Sequence, residues 1–242
     1  DGYTLLMITS QQANAAALVQ NSRKALGYDL VADFAPISLI ASTPLMLVVN
    51  AALPVNSIRE LIAHAKAKPG SINYGTPGTG TASHLATELF RSMSGIEIVH
   101  VPYKGTPQAL TDTMAGQLEL AVLVATAVIP SLKGGKLRAL GVTSAKRTQI
   151  APELPAIAET LPGYVATSWY GVGTPSGTPE PILARLESAI DEALRQPDLQ
   201  KRWADDLGLD VPPAGRAGLR EFIEEDRKLW APAVKASGVK LD

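Results

Sequence analysis

The sequence contains no cysteine, which excludes disulfides, thiolate metal sites and a thiol nucleophile. Its histidines, His64, His84 and His100, show no spacing suited to a metal ion. No apolar run approaches the roughly 20 residues that a membrane helix requires. The 22 basic and 23 acidic residues leave a formal net charge of −1. That balance gives no electrostatic footprint for nucleic acid or an anionic membrane surface. No Gly-x-Ser-x-Gly elbow and no Gly-Lys-Ser/Thr phosphate loop occurs. With no credible acid–base pair, nucleophile triad or metal cluster, no catalytic, metal or cofactor residue is assigned.

What is present is a core. Hydrophobic residues make up 46% of the 242 and charged ones 19%, enough for one large or two modest domains. Strand patterns alternate with helical ones. Tyr3–Ile8 reads as a buried strand, followed by a polar loop and an Ala-rich helix near Asn14–Gln20. Pro36–Ala41 and Leu45–Asn50 read as two strands broken by Pro44. Ser57 to Glu60 forms a capping box that opens a helix to about Lys68. Ile96–Val101, Leu118–Val124 and Leu137–Val142 read as strands, and Thr106-Pro107 as an N-cap followed by proline. Thr167–Gly173 is a further strand, and helices follow near Glu180–Leu194, Asp198–Leu207 and Leu219–Ala236. This β-α-β rhythm predicts an α/β fold with a parallel sheet under covering helices. Ligands of such sheets sit beyond the carboxyl ends of the strands.

One loop occupies that kind of position. Between a short strand ending at Tyr74 and a helix through Leu85, Leu89 and Phe90 stands Gly75-Thr76-Pro77-Gly78-Thr79-Gly80-Thr81. Glycines allow positive φ and close approach of a ligand. The helix that follows points unpaired N–H groups and a partial positive charge into the loop. Together these make an anion site without a charged side chain. An ordinary turn and N-cap would account for one glycine and one threonine, and not for three of each. Thr76, Gly78, Thr79, Gly80 and Thr81 are therefore the first candidates for ligand contact. Ala125 and Thr126, after another strand, line the same edge by position, although a plain turn explains them equally well. His84, in the first helical turn, is expected to order the loop by hydrogen bonding. Gly78-x-Gly80-x-x-Ser83 approaches a dinucleotide fingerprint, but serine replaces the third glycine. Trp169, Tyr170, Trp203 and Trp230 read as packing.

Several runs taken together resemble one family. They are Asp1-Gly2-Tyr3-Thr4-Leu5-Leu6, Tyr74 to His84, Val101-Pro102-Tyr103-Lys104-Gly105, Gly135 to Leu140, Leu161-Pro162-Gly163-Tyr164, Trp169-Tyr170-Gly171 and Pro175-x-Gly177-Thr178-Pro179. In order and spacing they are similar to the TctC/Bug family, the extracytoplasmic solute receptors of tripartite tricarboxylate transporters. The resemblance implies a two-lobed periplasmic-binding-protein fold of type II, the Venus flytrap. It implies a small organic acid held between the lobes and delivered to membrane transporter subunits by a periplasmic, monomeric, non-enzymatic protein. One lobe would be residues 1–46 with 169–242, the other 47–168, with the hinge near Pro44–Leu47 and Thr167–Tyr170. It also draws Ser10 and Gln11, in the polar run Thr9 to Gln12, toward the ligand.

Two departures carry expectations of their own. The family's opening strand and Pro-Gly-Gly loop have no counterpart before Asp1, so the chain is expected to be processed or truncated and to lack the first β-α elements. Where the family carries an aspartate after its Gly-Gln-Val-Asp strand, this chain has Leu123, which predicts a more apolar cleft and a ligand with a hydrophobic far end. The competing functions are a dinucleotide-binding or hydrolytic enzyme and the effector domain of a transcription regulator.

Overall fold

A computed structural model describes residues 2–13, 24, 27–204, 209 and 215–237. The expected helix near Asn14–Gln20 lies outside these residues. The chain divides into two compact units: residues up to Thr43 with Ser168–Pro232, and Pro44–Thr167 with the end of the last helix from Ala233.

In the first unit, β1 (Leu6–Thr9) pairs antiparallel with β7 (Thr167–Pro175), Ile8 opposite Gly171. The next strand is β2 (Phe34–Asn50), whose first part belongs here. Ile8, Leu39, Trp169, Leu219 and Ile223 form the core. The helices are α5 (Glu180–Leu194), α6 (Pro197–Arg202) and α7 (Arg216–Ser237). The expected buried opening strand is corrected: Tyr3, Leu5 and Met7 are exposed, Ile8 is buried in the core and Leu6 packs half-buried against it. Trp169 and Trp230 are packing residues, both fully buried.

In the second unit the strand order is β6, β2, β5, β3, β4. These are β3 (Asn73–Thr76), β4 (Val99–Pro102), β5 (Leu120–Val124) and β6 (Leu137–Val142). β3 runs parallel to both β4 and β5. β2 runs antiparallel to both β5 and β6, so the sheet is mixed and not wholly parallel. The helices are α1 (Ile58–Ala67), α2 (Ala82–Ser94), α3 (Thr106–Ala115) and α4 (Ala125–Leu132). Met46, Val48, Ala121, Leu123, Val128 and Val142 interlock in the core.

Local chemistry explains most element boundaries. Ser57 accepts the Glu60 amide at 3.2 Å, and the Glu60 carboxylate reaches back to the Asn56 amide at 2.7 Å. α3 begins one residue earlier than expected: Gly105 is its N-cap and Thr106 its first residue. Pro44 does not break β2, which is one strand of 17 residues. Extended backbone accommodates a proline φ, and at this point β2 takes new neighbours, with Leu45 opposite Val124 and Met46 opposite Val142.

Candidate ligand-binding site

β3, β4 and β5 run in one direction, Tyr74 beside Leu120 and His100. Each is followed by a helix, so α2, α3 and α4 all begin at the same sheet edge. None of these helices carries an acid in its first turn. Their partial positive charge is therefore left uncancelled where three N-termini gather.

The loop from β3 to α2 divides into a frame and an exposed crest. Gly78 and Gly80 take φ of 145° and 76°, a region that side chains disfavour. The Thr81 hydroxyl donates to the Gly78 carbonyl at 2.8 Å and accepts the His84 amide at 3.3 Å, capping α2. The Thr76 hydroxyl is wholly buried, 3.3 Å from both the carbonyl and the amide of Gly78 and 2.7 Å from His100 Nε2. The Gly80 amide donates to His84 Nδ1 at 3.2 Å. This is the loop-ordering bond expected of His84. Thr76 and Thr81 thus spend their hydroxyls inside the loop. Thr79 is exposed, and among the described residues neither its amide nor its hydroxyl has a partner. The Ala82 and Ser83 amides, at the start of α2, are likewise unpaired there.

Ala125 and Thr126 open α4, which has no side-chain cap. Ala125 is buried and Thr126 half-buried. The structure therefore brings Thr76, Gly78, Thr79, Gly80, Thr81, Ala125 and Thr126 to one edge of one sheet. Ser10 and Gln11 belong to the other unit. Ser10 is buried with its hydroxyl 3.3 Å from that of Ser168, and Gln11 is exposed. Gln12 takes the amide and hydroxyl of Thr9, which closes the turn after β1. Leu123 is fully buried within the core, so it supplies no apolar wall to a ligand, contrary to expectation.

Beneath the loop lies a polar stack that the sequence did not disclose. The His84 and His100 rings lie 4.1 Å apart at 18°, and Tyr74 stacks on His100 at 4.9 Å. His100 is therefore not isolated, as its sequence context suggested. Its place beside Tyr74 follows from the parallel register of β3 and β4, which no local pattern reveals. The Tyr74 hydroxyl donates to Glu88 at 2.6 Å, and Glu88 also holds Arg91 Nη2 at 2.7 Å. Burial pushes the His84 pKa below its usual value. Burial first, then the neighbouring His84, brings His100 down to about 4. Burial and the bond to Glu88 raise Tyr74. Both imidazoles are therefore neutral at pH 7. Among the described residues no group of three or more His, Cys, Asp or Glu could hold a metal.

The family model described as "Tripartite tricarboxylate transporter family receptor" matches residues 1–239. BugT of Bordetella pertussis is 34% identical over 242 residues, covering all of this chain and 73% of its own length. The structure of R. palustris Rpa4515, solved with adipate, superposes with a TM-score of 0.88 at 34% identity, covering 99% of this chain and 79% of its own. MatC of Rhodopseudomonas palustris, solved with malate, gives 0.84 at 30% identity, with 97% and 80% covered.

Proposed function

This chain belongs to the receptor family of tripartite tricarboxylate transporters, and on that premise we propose that it captures a small organic carboxylate at the Thr76–Thr81 loop and the start of α4 and delivers it to the membrane subunits of such a transporter. The family is one of solute receptors and not of enzymes. Its members are periplasmic binding proteins, and the reading places this one in the periplasm as a monomer. Among the described residues no helix is long and apolar enough to cross a membrane.

The observation that carries the proposal is the set of amides at Thr79, Ala82 and Ser83, unpaired among the described residues, on a helix whose first turn carries no acid. Backbone amides at a helix N-terminus bind a carboxylate by charge and by hydrogen bond together. A positive side chain is not needed, and the first turns of α2, α3 and α4 offer a cationic solute no counter-charge. Relatives solved with adipate and with malate fit the same chemistry. The lobes of the reading are residues 1–46 with 169–242, and 47–168, the second carrying the loop.

Native mass spectrometry of the purified protein with its co-purified solute, followed by thermal shift against adipate, malate and NAD, tests this. A carboxylate is expected to raise the melting temperature. A shift by NAD with none by any carboxylate would overturn the reading.

A further inference from the structure

The stacked pair His84 and His100 is left without a task by simple carboxylate capture. His84 comes from α2 and His100 from β4. His84 Nδ1 accepts the Gly80 amide, so the neutral ring carries its proton on Nε2. His100 Nε2 meets the Thr76 hydroxyl, which also touches both backbone groups of Gly78. Each imidazole thus holds one glycine corner of the loop, directly or through Thr76.

We propose that this loop captures a carboxylate only while His84 is neutral, and that acidification opens it. The proposal rests on the carboxylate-binding reading. A proton on Nδ1 would set an N–H donor against the Gly80 N–H, and the bond that holds Gly80 at positive φ is lost. The new imidazolium would also lie 4.1 Å from the second imidazole.

The surrounding groups favour neutrality on balance. From β3, Tyr74 stacks on the pair, and from β4 comes His100 itself. On α2 stand Glu88 and Arg91. The Glu88 carboxylate favours an imidazolium, but it is already shared between the Tyr74 hydroxyl and the Arg91 guanidinium, whose own charge opposes one. Burial opposes it most. Opening competes with the pull of the added charge on the ligand, and the two give opposite pH slopes.

Calorimetric titration of adipate and malate from about pH 8 to about pH 5 separates them, using wild type, His84→Asn and His84→Phe. The Asn side-chain oxygen occupies the Nδ1 position, accepts the Gly80 amide and takes no proton. Below the histidine's titration, wild-type affinity is expected to fall by up to about tenfold per pH unit. His84→Asn should bind like wild type at pH 8 and lose only what protonation of the ligand costs. His84→Phe should bind weakly throughout. An equal slope in wild type and His84→Asn, or tighter wild-type binding in acid, overturns the proposal.

A readout without ligand keeps the two ideas apart. In the full chain, the Gly80 amide resonance is expected to move with the titration of His84. If neither carboxylate binds at pH 8, the carboxylate reading fails, and the Gly80 resonance decides the loop mechanism by itself. A Gly80 amide indifferent to His84 protonation overturns it.

Discussion

The indole N–H of Trp169 donates to Asp226 Oδ2 at 3.0 Å, and the other oxygen of that carboxylate takes the Trp230 indole at the same distance. All three residues are buried. The carboxylate ties strand β7 to helix α7 inside the first unit.

Asp226→Asn should destabilise the protein, because one oxygen becomes an N–H donor facing an indole N–H. The cost of an unmet buried donor is about 1–3 kcal/mol. Burial raises the Asp226 pKa to about 6, against the pull of the two indoles. The native state therefore holds this proton more tightly than the unfolded chain. The stabilisation is full below the ordinary aspartate value and is lost as pH rises through about 6. Urea unfolding should show the largest difference between wild type and Asp226→Asn near pH 4 and a smaller one near pH 7.

The histidine pair works in the opposite direction. Both native pKa values are depressed, so the unfolded state binds protons first. The contribution of His100 is present above the usual histidine pKa of 6.5 and is lost as pH falls toward about 4, and that of His84 is lost in the same direction. His100→Gln keeps a group able to meet Thr76 and removes one titration. Its melting temperature should fall less steeply than that of wild type over this range.

Thr79 and Thr81 should separate by function. Thr81→Ala removes a helix cap and should cost about 1 kcal/mol of stability, measurable by urea unfolding. Thr79→Ala removes an exposed side chain with no partner among the described residues, so stability should stay unchanged. Its carboxylate affinity should fall by roughly tenfold, the worth of one hydrogen bond to a charged group.

Gly80→Ala should damage both properties. At φ of 76° an added Cβ costs about 1–2 kcal/mol. The loop would relax away from His84, and both the unfolding midpoint and the carboxylate affinity should drop. An unchanged affinity would show that the Gly80 conformation does not shape the site.

Features of short range were legible in the sequence. The Ser57 cap, the helix over Glu180–Leu194, the glycine–threonine loop and the His84 bond to it all depend on residues a few positions apart. What escaped depends on register and burial. Tyr74 meets His100 only because β3 and β4 run parallel. Pro44 reads as a breaker until the change of partners along β2 is known. The family resemblance sets Leu123 on the ligand's side, whereas β5 is buried on both faces from Leu120 to Leu123 and Leu123 packs into the core. Asp226 sits in the charged run Glu224 to Lys228, where nothing local separates the one buried carboxylate from its solvated neighbours.

The split within the loop between committed and unpaired groups sets where this receptor can be retuned. Thr76, Gly78, Gly80 and Thr81 form a mounting whose bonds are internal. Variation there forfeits the shape before it alters choice. Thr79 and the start of α4 form the replaceable face. On the carboxylate reading, a library confined to Thr79 and Thr126 is expected to change which acid is preferred at little expense in folding, and on the proposed histidine switch the acidity of release should stay the same across that library.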